Sequence, residues 1–596
     1  VSHYETMTTE NLDQFGSGRD QQHKYYQYGS QLNNAPIIHH PYESKAELFT
    51  DTKPIDITYD DEDFSNIEED DFKFSFRRLL QFVGPGWLMS IAYIDSGNLE
   101  SDIQAGASAG YSLIWILFWS TVIGWLLQSL CARLAVVTGQ SLAELCRYEY
   151  KPSISILIWI CVELSIIGSD IQQVIGTAIA FHILFGLKLW IGCILTAFAA
   201  FILLAVNSWR GLRCMEYFFL AVIGSMSILF IVECFISAPD FWLILKGWIL
   251  PLINDPENVI VQEQAIGIVG AVIMPFNLFL HSSLVQLRNI SRSNKAAIRE
   301  ANFYFSMEAG LSLLISFIIN ICVLSVFAKG FFENPEFDSK EAGLLTAGYY
   351  LQERFGEAAK YVWALGLLAS GQSATMTGTF AGQYVMNGFL NLEWQPWQRT
   401  LITRAIALLP SLIVAIFATE KFDIVNEWIN VAESVVLPFA LLPLLFFSCN
   451  TRIMGNTFVL STKLQIFYGI IGVIIVFINV YLICLFIIAW DVGDNLSLFA
   501  FKWVLLSSFL WMYLGFVFWL FWDFLRQKGW RTNSDQFEKY GDMKMHINQS
   551  RMDAFNHEYS MNQENVELMQ GNDNNNEDSE DGDDSKPLLA GQTQKQ

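Results

Sequence analysis

Two long apolar stretches of this chain are each interrupted by residues able to hold a cation. In the first, Ile91-Ala92-Tyr93-Ile94-Asp95-Ser96-Gly97-Asn98 places a carboxylate, a hydroxyl, a helix-breaking Gly and an amide inside an otherwise hydrophobic run. In the second, Gly270-Ala271-Val272-Ile273-Met274-Pro275-Phe276-Asn277 sets a Pro directly after a Met. That Pro has no N–H, so a carbonyl of the preceding turn loses its donor. Asp95 offers hard anionic oxygen, Asn98 a neutral carbonyl, Ala271 an unwound backbone carbonyl and Met274 a soft thioether. Hard donors alone would suit Mg²⁺ or Ca²⁺. One thioether among oxygens favours a borderline ion such as Mn²⁺ or Fe²⁺ and weakens the case for Ca²⁺. The competing readings are packing for Met274 and a helix-capping role for Asp95.

The elements that must position these groups are membrane spans. The net charge is −23, but residues 1–71 carry 16 acidic and 4 basic residues, and residues 532–596 carry 14 and 5. The 460 residues between hold 29 acids and 27 bases and are strongly apolar, so mean hydropathy is +0.33 despite the tails. This excludes a basic nucleic-acid-binding surface. Nine Cys without CxxC spacing indicate neither a disulfide framework nor a zinc site. Twelve apolar stretches, at about 79–106, 111–138, 154–184, 187–207, 214–237, 263–287, 302–328, 358–390, 401–418, 425–448, 465–489 and 498–524, can each cross a hydrocarbon core of about 30 Å. With the N-terminus in the cytoplasm, 19 Lys and Arg fall on cytoplasmic flanks and 8 on the opposite side, which predicts cytoplasmic termini. The expected fold class is an all-α polytopic membrane protein. Its expected layout is a disordered acidic N-terminal tail (1–74), a transport core (75–450), two additional spans (451–531) and a disordered acidic C-terminal tail (532–596). No signal-peptide core is expected. Interrupted helices five spans apart point to an inverted-repeat carrier with its substrate at the midplane.

The run from Gly84-Pro85-Gly86-Trp87 through Asp95-Ser96-Gly97-Asn98 to Asp102 resembles the first-span signature of the Nramp (natural resistance-associated macrophage protein) family. So do Gly270 to Pro275 continued by Asn277-Leu278-Phe279-Leu280-His281, Ile167-Gly168-Ser169-Asp170, Ala369 to Gly378 with Ala381-Gly382-Gln383, and Leu437-Pro438-Phe439 to Leu445. These cover residues 75–450 in order. The resemblance implies a LeuT-like fold of two inverted five-helix repeats plus two further helices. It also implies import of divalent transition metal into the cytosol, usually with protons, and metal ligands at Asp95, Asn98, the Ala271 carbonyl and Met274.

The chain departs from that family's pattern at four positions. Ser96 stands for Pro, Phe276 for His, Gln173 for an acid three residues after Asp170, and Glu433 for Gln. Two titratable groups are lost and one is gained, so proton coupling is expected to be weakened or rerouted, with Glu433 balancing metal charge or accepting protons. Asp170, Gln173, His281 and Arg404 complete the candidate metal or proton pathway; an Asp170–Arg404 ion pair and packing of His281 are the competing readings. In the C-terminal tail, Asp584-Ser585-Lys586-Pro587-Leu588-Leu589 fits an acidic dileucine signal for trafficking adaptors, implying an endosomal, lysosomal or vacuolar membrane, with the plasma membrane as the alternative. Asn495-Leu496-Ser497 is a sequon close to the last span.

No Walker A pattern, catalytic constellation or cofactor motif is present, so an enzyme is not expected and ion gradients or membrane potential must supply the drive. The expected partners are divalent metal ions as transported substrate, protons, and the lipid bilayer. The leading reading is a Mn²⁺/Fe²⁺ carrier. A Mg²⁺ or broad-range divalent carrier and a transport-inactive metal sensor are the alternatives.

Overall fold

Helix α1 of the computed structural model, Phe76–Phe82, begins a succession of sixteen helices among the described residues. The structure describes residues 55–56, 74–82, 84 and 93–210, and most of 221–522. Within that last range, gaps fall at 334–341, 392–395, 418–421 and 490–502 and at shorter breaks. The dileucine motif and the sequon lie outside the described residues, as do 85–92 of the first predicted span. Residues up to Phe521 form one compact unit, and the second, Trp522–Gln596, falls almost wholly outside the description.

After α1 come α2 (Ser96–Ala109), a 3₁₀ turn, α3 (Ile114–Thr138), α4 (Leu142–Glu149), α5 (Pro152–Phe185) and α6 (Leu189–Arg210). Beyond the partly described fifth span follow α7 (Phe241–Ile249), α8 (Val259–Val272), α9 (Pro275–Leu284), α10 (Lys295–Phe327), α11 (Leu344–Phe355) and α12 (Glu357–Leu390). The series ends with α13 (Pro396–Phe417), α14 (Phe422–Cys449), α15 (Thr451–Phe458) and α16 (Thr462–Ala489). Among the described residues six helical stretches are long and apolar enough to cross a membrane, including Ser96–Thr138, Pro152–Phe185 and Val259–Leu287. The predicted eighth span is an unbroken 34-residue helix, α12, despite its Gly, Ser and Thr. Those polar residues are buried, chiefly against α5.

Helix α10 shows why this pattern belongs in lipid. Phe303, Met307, Leu311, Leu314 and Ile318 form an exposed apolar stripe at helical spacing. The buried face carries Glu300, Glu308, Ser312, Ser316 and Asn320. Apolar outside and polar inside inverts the order of a water-soluble helix and suits a surface bathed in hydrocarbon.

One backbone pairing is described within the N-terminal tail. Ile55–Asp56 pairs in parallel with Arg288–Asn289, just beyond α9. The pairing uses backbone groups, so no side-chain alternation announces it. Next to it, α1 docks on α10: Phe82 stacks on Tyr304 at 5.0 Å, Arg78 pairs with Glu300 at 3.7 Å, and Gly84 donates its N–H to Glu308.

Candidate metal site at two facing helix breaks

Asp95 begins α2 as its N-cap. It has extended backbone (φ −76°, ψ 173°), and its Oδ1 accepts from Asn98 N at 2.8 Å and Asn98 Nδ2 at 2.9 Å. Such a cap satisfies a first-turn donor and ends the need for a preceding helix. The chain entering the cap is held by Ser370 of α12, whose hydroxyl donates to the Ile94 carbonyl at 2.6 Å. Asn98 turns its donor toward Asp95, which leaves its carbonyl oxygen as the atom free to meet a cation.

At the second break α8 ends at Val272, and Met274 is the N-cap of α9 with Pro275 at the first helical position. Ala271 is therefore helical, not unwound as the sequence suggested. Its carbonyl still lacks the usual partner, because the residue four ahead is Pro275, which has no N–H. All four expected ligand residues are 1% exposed.

The two breaks face each other. Gln264 donates to Gln104 Oε1 at 2.7 Å, and a Cβ on Gly267 would lie 4.0 Å from Ser101 Oγ. Moving three residues back on α2 thus moves three forward on α8, so the helices run antiparallel. Continuing at the same pace brings Asn98 opposite Gly270, and Asp95 opposite Ile273 beside Met274. Asn430 of α14 confirms the register. Its Nδ2 donates to the Gly97 carbonyl at 3.2 Å, while its own carbonyl would lie 1.9 Å from a Cβ on Gly270. Asn430 thus sits between the two breaks, which only a glycine at 270 permits. Gln172 Nε2 fixes it in turn, donating to Asn430 Oδ1 at 2.8 Å. Sequence reasoning missed both residues, although an amide three residues before Glu433 in an apolar span was a usable signal.

Gln173 is not the lost relay that its replacement of an acid suggested. Its Nε2 donates to Asp95 Oδ2 at 2.9 Å, so the amide belongs to the site. Glu433 is 1% exposed. Its Oε1 lies 3.5 Å from Ser165 Oγ, its Oε2 has no hydrogen-bond partner among the described residues, and Asp95 is close enough for the two charges to interact. His281 is fully buried on α9, with neither ring nitrogen hydrogen-bonded among the described residues. Asn277, one turn before it, is in the same condition.

The competing reading for Asp170, an ion pair with a buried base such as Arg404, rests on a side chain outside the described residues. Asp170 is buried in α5, and the arginine whose charge acts with it is Arg399. Arg399 Nη2 also meets Glu163 Oε1 and Oε2 at 2.7 and 3.0 Å. Arg399 lies on α13, five residues before Arg404. Among the described residues no three His, Cys, Asp or Glu side chains converge. A mixed set of carboxylate, amide, backbone carbonyl and thioether does not need them to.

Comparison with known proteins agrees with this architecture. Residues 86–485 match the model of the natural resistance-associated macrophage protein-like family. The metal transporter nramp1 homolog of Dictyostelium discoideum is 48% identical over 424 residues, 71% of this chain and 78% of that protein. Metal transporter Nramp2 of Oryza sativa subsp. japonica is 47% identical, covering 69% of this chain and 79% of the other. A crystallised variant of the Eremococcus coleocola manganese transporter superposes with a TM-score of 0.66 at 26% identity, covering 78% of this chain and 99% of that one. By these matches the chain belongs to the Nramp family of integral multi-pass membrane transporters and is not an enzyme.

Proposed function

We propose that this protein carries divalent transition-metal ions, Mn²⁺ and Fe²⁺ among them, toward the cytosol by alternating access, with Asp95, Asn98, the Ala271 carbonyl and Met274 as ligands. The observation that carries the reading is the register of α2 against α8. It sets a capped carboxylate and an amide opposite a carbonyl deprived of its donor, with a thioether alongside. The printed names of the relatives, metal transporters and a manganese transporter, support the same substrate class. Buried Met274 favours a borderline ion over Mg²⁺ or Ca²⁺.

Glu433 fits a charge-balancing role. Two carboxylates sharing an apolar interior repel each other, and a dication between them removes that cost. Both charges of a divalent ion crossing an inside-negative potential gain about 4.6 kcal/mol per 100 mV, a sufficient drive for uptake without protons. Asp170 and His281 remain candidates for a proton path. The domain layout, cytoplasmic termini and endolysosomal sorting through Asp584, Leu588 and Leu589 belong to the same proposal.

The test is Mn²⁺ uptake into proteoliposomes with internal pH recorded, comparing wild type with Asp95→Ala. Uptake by wild type and its loss in the variant are expected. Equal uptake by both would refute the site, and Mn²⁺ binding without flux in wild type would favour a sensor.

A further inference from the structure

Asp95 has two carboxylate oxygens in unequal surroundings. Oδ1 takes both Asn98 donors, at 2.8 and 2.9 Å. Oδ2 takes Gln173 Nε2 at 2.9 Å. A carboxylate oxygen presents two lone pairs. Oδ1 is therefore filled, and Oδ2 keeps a single lone pair for a cation.

Gln173 can donate to Asp95 only while its carbonyl end points elsewhere, and Ser96 receives that end. Ser96 Oγ lies 3.0 Å from Gln173 Oε1 and 2.9 Å from the Gln172 carbonyl, two acceptors for its one proton. Both side chains are fully buried. Ser96 is pressed against α5, since a Cβ on Gly176 would lie 2.5 Å from its own Cβ. A flipped Gln173 amide would turn its carbonyl onto the Asp95 carboxylate and forfeit the proton that Ser96 can give to Oε1.

We infer that Ser96 and Gln173 work as one positioning unit that restricts Asp95 to a single coordinating lone pair on Oδ2, and that this restriction selects against Ca²⁺. The inference rests on the proposed metal site. Ca²⁺ gathers six to eight oxygens and takes carboxylates mono- or bidentately. Asn98 already closes Oδ1, and Gln173 closes one of the two lone pairs left on Oδ2, so the oxygen count at Asp95 is held at its minimum. Outer-shell donors that orient a ligating carboxylate commonly govern metal affinity in this way. Two positions that look like separate departures in the sequence thus hydrogen-bond to each other.

The experiment measures Mn²⁺ uptake in proteoliposomes, with Ca²⁺ as competitor, for wild type, Gln173→Met, Ser96→Ala and the double variant. Gln173→Met keeps the side-chain length and removes the donor. The expected result is a fall of about tenfold in Mn²⁺-over-Ca²⁺ selectivity for Gln173→Met, seen mainly as tighter Ca²⁺ inhibition. Ser96→Ala should move selectivity the same way by less. The double variant should match Gln173→Met alone, since without the amide the hydroxyl has nothing to orient. Unchanged selectivity in both single variants, or an equal loss of affinity for both metals, overturns the inference; so does full additivity. If Gln173→Met yields no folded protein, Ser96→Ala, which deletes one oxygen, still decides. Wild type that neither binds nor moves Mn²⁺ would instead sink the underlying function.

Discussion

Gly270→Ala tests the facing of the two helix breaks. The added Cβ would lie 1.9 Å from the Asn430 carbonyl oxygen, 2.9 Å from its carbon and 3.1 Å from Ser434 N. These are backbone atoms of α14, so no side chain can swing aside. Reaching an ordinary contact of about 3.4 Å needs α8 and α14 to part by about 1.5 Å. That movement drags the adjacent Ala271 carbonyl and Met274 away from Asp95 and Asn98. Overpacking of this kind costs about 1–3 kcal/mol of stability, which a membrane protein of this size can survive. A displacement near 1 Å at a binding constellation costs roughly 10²-fold in turnover. The assay is Mn²⁺ uptake per folded transporter, normalised by size-exclusion yield and melting temperature. Gly469→Ala serves as control, because nothing lies within 4 Å of its added Cβ. Folded Gly270→Ala protein with wild-type uptake would refute the register on which the site is built.

Three other outcomes follow from the same geometry. Met274→Ala should leave Mn²⁺ transport measurable while letting Mg²⁺ and Ca²⁺ compete much more strongly, as read by isotope uptake with competitors. Glu433→Gln should alter Mn²⁺ or proton flux measured between about pH 5.5 and 7.5; if neither changes, Glu433 does not balance charge or accept protons. Arg399→Ala leaves Glu163 without its buried partner and should lower stability by about 3 kcal/mol in thermal unfolding, with Glu163→Gln restoring part of the loss.

The chemistry was more legible in the sequence than its placement. Asp95, Asn98, Met274 and Pro275 stand out because carboxylates, amides and imino acids are costly in apolar runs. Their mutual facing is carried by Gln104, Gln264 and Asn430, whose pairings depend on how helices distant in sequence rotate. For the same reason Arg399, whose charge acts with Asp170, was not singled out. Gln173 was singled out for the carboxylate it lacks, while the donor it offers matters only with Asp95 opposite it. Ala271 was taken as unwound since Pro275 disrupts the ladder. In the structure the helix runs on through Val272, and only the hydrogen bond is lost.

Asn430 and the Gln104–Gln264 pair have a mechanical consequence. One pins the inner ends of α2 and α8, and the other ties them two turns further along. Sliding one helix along the other by a turn would break both attachments at once and carry Asp95 past Met274. Tilting about the Asn430 contact would leave that contact in place and load only the Gln104–Gln264 pair, so the joint resists sliding more than it resists tilt.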